Sequence, residues 1–233
     1  MVVFVLRHVQ IAEMSSFSAC NPINTPERIS DLADSFYNLP REVPALDIDL
    51  EGENLGREGT IFILQISVSP RKHTFVIDIR VTLQSVLEAS EMTKVFFDVR
   101  SNSDALFAHF GIKLDGVRHL QLLEFASREA RKSFLGGLAK CIDRDRLHII
   151  KDAGHKLFDP PSGDFQYLPQ LWLVYDQKHT PQWRLQVGRE SQARIQLFQS
   201  TGFNGQGRHM ALPPAGLASQ FHIRRTTFRL REN

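Results

Sequence analysis

The sequence predicts an α/β fold: a mixed sheet that opens with an antiparallel meander and continues through crossovers, with helices on its faces. Three observations predict it. Strand-patterned runs lie close together at 45–50, 61–68 and 74–79, and connections this short join antiparallel neighbours. Helical and strand patterns then alternate from Leu83 to Leu120, the order that builds right-handed crossovers. The 233 residues, 42% hydrophobic and 23% charged with 14 Gly and 11 Pro, suit one globular domain with an extension and exclude fibrous, coiled-coil and wholly disordered chains.

Residues 1–24 carry no sustained period and are expected to form an extension. Thr25-Pro26-Glu27 reads as a helix start, with Thr25 as the cap and Pro26 in the first helical position. Ile29, Leu32, Ala33 and Phe36 then make one apolar stripe, and Pro40 and Pro44 bracket the loop that follows. From Ala45 to Leu50 the pattern alternates, Leu46, Ile48 and Leu50 facing one way and Asp47, Asp49 and Glu51 the other. A glycine-containing turn, Gly52 to Gly59, leads to a strand at Ile61–Val68, and Pro70–Lys72 turns into another at Thr74–Ile79. Leu83, Val86 and Leu87 suggest a helix, Val95–Phe97 a short strand, Ser101–Phe110 a helix and Val117–Leu120 a fifth strand. This order is the ribonuclease H-like arrangement. Helices are further expected at 136–142, around Phe165, Leu168, Trp172 and Tyr175, and at 181–198, with loop from Ser200 to Gly216.

Charge is unevenly placed. Residues 179–233 hold eight arginines and two acids, a net of +6, which leaves −4 for the rest of the +2 chain. A solvated basic tail explains this, and so does a segment that holds a polyanion. No apolar run is long enough to span a membrane, and Met1–Leu6 is too short for a secretory leader. Two cysteines, Cys20 and Cys141, make no disulfide framework, so an intracellular setting is expected, with nucleus and cytoplasm unresolved. None of His119, His148 and His155 stands in a zinc-binding spacing, and each reads as a solvated or capped histidine.

Asp47, Asp49 and Glu51 share one face of a strand. Carboxylates so placed can hold hard divalent cations, and two such ions roughly 3.5–4 Å apart serve in-line attack on a phosphodiester. An edge strand with one solvated face gives the same alternation. The continuation, Asp49-Leu50-Glu51-Gly52 through Leu55 and Gly59 to Gln65, decides between them. It resembles the first motif of the DEDD 3′–5′ exonucleases, ribonuclease D-like, and above all the branch with Egalitarian-type and fungal exonuclease-domain proteins. Val95–Leu106 with Gly111–Leu114 resembles the second region, and Asp164–Leu171 the third, so the similarity spans Thr25 to Leu197. The organisation implied is an extension at 1–24, an exonuclease-like domain at 25–180 and a basic C-terminal helix and tail at 181–233.

The resemblance implies a 3′–5′ exonuclease acting on RNA or single-stranded DNA with two Mg²⁺ or Mn²⁺ ions. Asp49, Glu51 and Asp164 would be the metal carboxylates. The remaining catalytic position falls on Asn102, an amide without charge. Asp104, nearby, reads as a first-turn helix acid rather than a replacement. The family's water-orienting tyrosine, four residues before Asp164, is Pro160 here and is followed by Pro161; a glycine-rich stretch before that helix is missing. Arg118-His119 stands where relatives carry an acidic pair. Arg100, Arg189 and Arg194 are candidates for phosphate contact, though as single arginines each reads first as a surface residue. Two further expectations follow from the departures: a degenerate exonuclease fold that binds nucleic acid or protein without cleaving, and a shortened product that folds poorly.

Overall fold

The computed structural model describes residues 23–39, 46–68, 73–78, 83–128, 133–145, 167–200, 202, 205 and 208–218. Helix α1, Pro26–Tyr37, starts as its sequence requires: Thr25 Oγ1 accepts from the Arg28 N–H at 3.4 Å, and Pro26 stands where no N–H is needed. Its stripe of Ile29, Leu32, Ala33 and Phe36 is buried. Strands β1 (Leu46–Glu51), β2 (Ile63–Val68) and β3 (His73–Asp78) form the meander, β1 against β2 and β2 against β3 antiparallel. The short helix α2 (Gln84–Glu88) leads to β4 (Lys94–Phe96), parallel to β1. Helix α3 (Val99–Phe110) returns the chain to β5 (Val117–His119), parallel to β4. The strand order is β3-β2-β1-β4-β5, a five-stranded mixed sheet flanked by helices.

β1 is therefore the central strand, not an edge. Leu46, Ile48 and Leu50 are buried on one face with Leu64, Ile66, Phe75 and Ile77, under α1, α2 and α3. Full burial of such side chains contributes about 1.5–3 kcal/mol each. On the acid-bearing face Asp47 is 2% exposed, so this face is covered as well rather than solvated. Lys94 is fully buried; its Nζ donates to the carbonyls of Val86 at 2.9 Å and Ala89 at 2.6 Å, satisfying the end of α2. Burial pushes its ammonium down to about 8.

Helices α4 (Leu120–Ser127), α5 (Leu138–Asp145), α6 (Leu168–Asp176) and α7 (Pro181–Gln199) build the second layer. Its core joins Val95 to Leu122, Phe125, Leu171, Tyr175, Trp183 and Val187. Within it Glu124, fully buried, accepts from Arg128 and, at 2.6 Å, from Arg144, while Tyr175 Oη donates to Asp145 at 2.6 Å. Cys141 is buried and free. α7 runs along α3 and against β5.

The segment after α7 is not simply loop. Arg208–Ala211 forms a 3₁₀ turn and 215–218 a helical turn whose Leu217 is fully buried. Three successive carbonyls fasten it: Met210 accepts from Arg100, Ala211 from the Leu135 N–H at 2.8 Å, and Leu212 from Arg194 at 2.8 Å. Part of the expected basic tail is thus a strap packed on the domain. Arg224, Arg225, Arg229 and Arg231 lie outside the described residues. No helix among the described residues is long and apolar enough to cross a membrane.

Candidate functional site

Asp49 and Glu51 stand near the carboxyl end of the central strand, two residues apart and hence on one face. The turn behind them needs its glycines. A Cβ on Gly52 would lie 1.8 Å from the Thr60 carbonyl oxygen, and one on Gly59 2.1 Å from that of Asn54. The turn is also anchored. Arg57 gives its backbone N–H and its Nε to the Asp104 carboxylate at 2.8 and 2.9 Å, and its Nη2 to the Phe198 carbonyl at 2.8 Å. The first motif is thereby tied to α3 and to the end of α7.

This corrects the expected role of Asp104. Helix α3 begins at Val99, capped by Asp98, whose Oδ1 accepts from the Arg100 N–H at 3.2 Å. Asp104 lies in the second turn and is the Arg57 partner rather than a first-turn acid. One turn of the same helix carries Asn102 toward β1, where its Nδ2 lies 3.5 Å from Asp49 Oδ1. Asn102 is 4% exposed. The structure therefore brings Asp49, Glu51 and Asn102 together.

The electrostatics of the group are those of a carboxylate pair with no positive charge against Asp49 among the described residues. Burial first, and the neighbouring Glu51 second, push the Asp49 carboxyl up to about 6; the weak contact with Asn102 and a backbone bond at Leu50 oppose this. Two carboxylates and a carboxamide offer hard oxygen ligands of the kind Mg²⁺ or Mn²⁺ takes, provided the Asn102 amide turns its oxygen inward. This donor set fits a divalent cation in kind but is incomplete in charge. Among the described residues no three His, Cys, Asp or Glu side chains cluster to hold a metal. Asp164, Pro160 and Pro161 lie outside the described residues, as do His148 and His155.

The three arginines expected at phosphates are placed differently from one another. Arg100 is 9% exposed, its guanidinium engaged by the Asp98 carboxylate, with Nε 2.7 Å from Oδ1, and by the Met210 carbonyl. Burial alone would raise the Asp98 carboxyl; the Arg100 guanidinium outweighs it and holds the group well below the usual carboxylate range. Arg194 donates to Leu212, has a buried Nη1 without a hydrogen-bond partner among the described residues, and has its pKa lowered to about 10 by burial and by the nearby Arg100. Arg189 is exposed on α7. His119 is fully buried rather than solvated; its Nε2 lies 3.6 Å from Asp98 Oδ1, beyond hydrogen-bond reach, and burial lowers its pKa.

Sequence reasoning missed the Arg57 anchor and the surroundings of Gln65. Arg57 meets Asp104 across 47 positions, a pairing no local pattern encodes. Gln65 pairs directly with Asp49 in the β1–β2 register and is fully buried.

No family model matches this sequence, and no curated protein matches it either. Solved structures do. RNase D from Trypanosoma brucei is similar at 18% identity over 86% of this chain and 80% of that one, with a TM-score of 0.67. RNase D from Escherichia coli, described as an exoribonuclease involved in structured RNA processing, is similar at 16% identity over 78% of this chain and 51% of that one, with a TM-score of 0.56. NrnC from Brucella melitensis is similar at 20% identity over 71% of this chain and 93% of that one, with a TM-score of 0.51. The Trypanosoma enzyme has also been solved with RNA, and NrnC with Mg²⁺. At such identities the likeness establishes architecture: this chain has the mixed α/β, ribonuclease H-like fold of the RNase D structures.

Proposed function

We propose that the chain is a 3′–5′ exonuclease-domain protein that acts on RNA or single-stranded DNA, with Asp49 and Glu51 as the core of a site for Mg²⁺ or Mn²⁺. The observation that carries this is the meeting of Asp49, Glu51 and Asn102 at the end of the central strand, with no cation among the described residues to balance Asp49. The T. brucei RNase D solved with RNA and the Mg²⁺-bound NrnC share this fold and lend the reading support. A bound divalent cation would supply charge for activating water and stabilising the leaving oxygen of a phosphodiester. Asp49 and Glu51 would orient it, Asn102 would offer an amide oxygen, and Asp164 would complete the carboxylates. Arg189, exposed on α7, is free in solvent to meet a phosphate; Arg100 and Arg194 reach one only if the strap carbonyls release them. In this reading 25–180 is the exonuclease-like unit, and α7 with the basic residues after it is the nucleic-acid-facing addition.

A second reading is favoured by one observation. Asn102 presents an N–H group toward Asp49 where a third carboxylate would complete the charge. A site of this kind binds cations weakly and suits a module that holds nucleic acid or a protein without cutting. The experiment gives purified protein 3′-labelled single-stranded RNA and DNA with Mg²⁺ or Mn²⁺, beside Asp49→Ala. Stepwise shortening by the wild type alone is the expected result and excludes the binding-only reading. Binding that weakens with salt, without shortening, assigns the chain to the second reading.

A further inference from the structure

The middle of β2 carries an anomaly. Gln65 is fully buried, and among the described residues neither its Oε1 nor its Nε2 has a hydrogen-bond partner. A buried polar group left unpaired lowers stability, and such groups are scarce in folded proteins unless they serve something. Leu or Met would fill the same volume without that cost.

Its place says what it serves. Gln65 pairs with Asp49, while Ser67 pairs with Asp47 and Ile63 with Glu51. Opposite residues of an antiparallel pair share a face with Cβ atoms ~4.5–5.5 Å apart, and diagonal neighbours lie ~7–8 Å apart. The carboxamide thus stands directly across from Asp49 and diagonally from Asp47 and Glu51, a neutral donor among three acids. Asn102 approaches Asp49 only at Oδ1.

We propose that Gln65 is a positioning residue for Asp49: unpaired in this structure, its carboxamide turns to donate Nε2–H to the Asp49 carboxylate opposite it when a divalent cation binds, and so fixes the direction in which that group presents its oxygens to the ion. The inference rests on the metal-site reading above. A neutral donor is the fitting choice here. A lysine or arginine would neutralise the charge that draws the cation, whereas an amide orients the carboxylate and leaves its charge intact.

The test uses the full chain and Mn²⁺, with affinity read by electron paramagnetic resonance titration. Gln65→Met keeps length and removes the amide. Expected is a 10–100-fold weaker Mn²⁺ dissociation constant, as for other groups that orient metal ligands, with a melting temperature in the absence of divalent ions equal to or above wild type. Ser67→Ala, on the same face but opposite Asp47, should leave the constant within about twofold. A Gln65→Met constant within twofold of wild type overturns the role of Gln65 while the metal site stands. Failure of the wild type itself to bind Mn²⁺ overturns both. Should Gln65→Met not fold, the side-chain NH₂ resonances of Gln65 in the wild type carry the same test: Mg²⁺ shifts them if the amide meets Asp49, and unmoved resonances overturn the proposal.

Discussion

Asp49 and Asn102 show how one atom's difference sets the character of a site. Asp49 is held at about 6 by burial and by Glu51, against 3.8 for an ordinary aspartate. Its folded form thus holds a proton more tightly than its unfolded form. The resulting stability is full below pH 3.8 and is lost as pH rises through 6, so the charged carboxylate is a cost at neutral pH. Asp49→Asn, in chelator, should therefore raise unfolding stability at pH 7 by on the order of 1–2 kcal/mol and give little at pH 4; chemical denaturation at the two pH values checks this. Asn102→Asp should act in reverse. Without divalent ions it sets a like charge beside Asp49 and lowers the melting temperature; Mg²⁺ or Mn²⁺ should restore it, and by more than in the wild type. Asp49 and Glu51 were legible in the sequence because alternation places them on one face and glycines follow at spacings the turn demands. The partners of Gln65, Arg57 and Asp104 were not, since periodicity assigns a side chain to a face but not to a neighbour on another strand or helix.

Among the elements, those with a stripe or an alternation were readable: α1 from Ile29, Leu32, Ala33 and Phe36, β1 from its apolar and acidic positions. Helix α4 was not. All six residues from Leu120 to Phe125 are buried, Gln121 and Glu124 included, so no solvent-facing side marks its turn, and the pattern ran on from β5. It instead carries a buried charge, Glu124, held between Arg128 and Arg144. Glu124→Ala should cost about 3–5 kcal/mol, because it strands two guanidinium groups, one of them largely buried; a smaller loss in denaturant melts would mean that water reaches them. Helix α2 has a different dependence. Lys94, buried against its last carbonyls, titrates at about 8 rather than 10.5. The folded state therefore sheds its proton first, and the cost of burying the charge, full below pH 8, fades toward pH 10.5. Wild type should gain on the order of 1–3 kcal/mol over Lys94→Met between those values; a constant difference would show that Lys94 stays charged or neutral throughout.

At the scale of the molecule, the meander-then-crossover order predicted the sheet, and short connections left few other ways to pair the strands. The strap was illegible for the opposite reason. Pro213, Pro214 and Gly216 signal loop, yet Pro214 accepts from the Leu217 and Ala218 N–H groups and turns Leu217 into the second core. Leu217→Ala should cost about 2–5 kcal/mol, read as a lowered melting temperature, in spite of its place beside a tail. The same strap has a bearing on how the protein is made. Arg100 receives the Met210 carbonyl from 110 positions downstream, and Arg57 the Phe198 carbonyl from 141 downstream. During synthesis the meander and the first crossover can pair as they emerge, but the guanidinium groups of Arg57 and Arg100 wait for residues far behind them. Until residues 198 to 212 have emerged, the nascent chain holds the turn behind its acidic strand and the start of α3 without these contacts, so a stalled or prematurely terminated product would carry both unfastened.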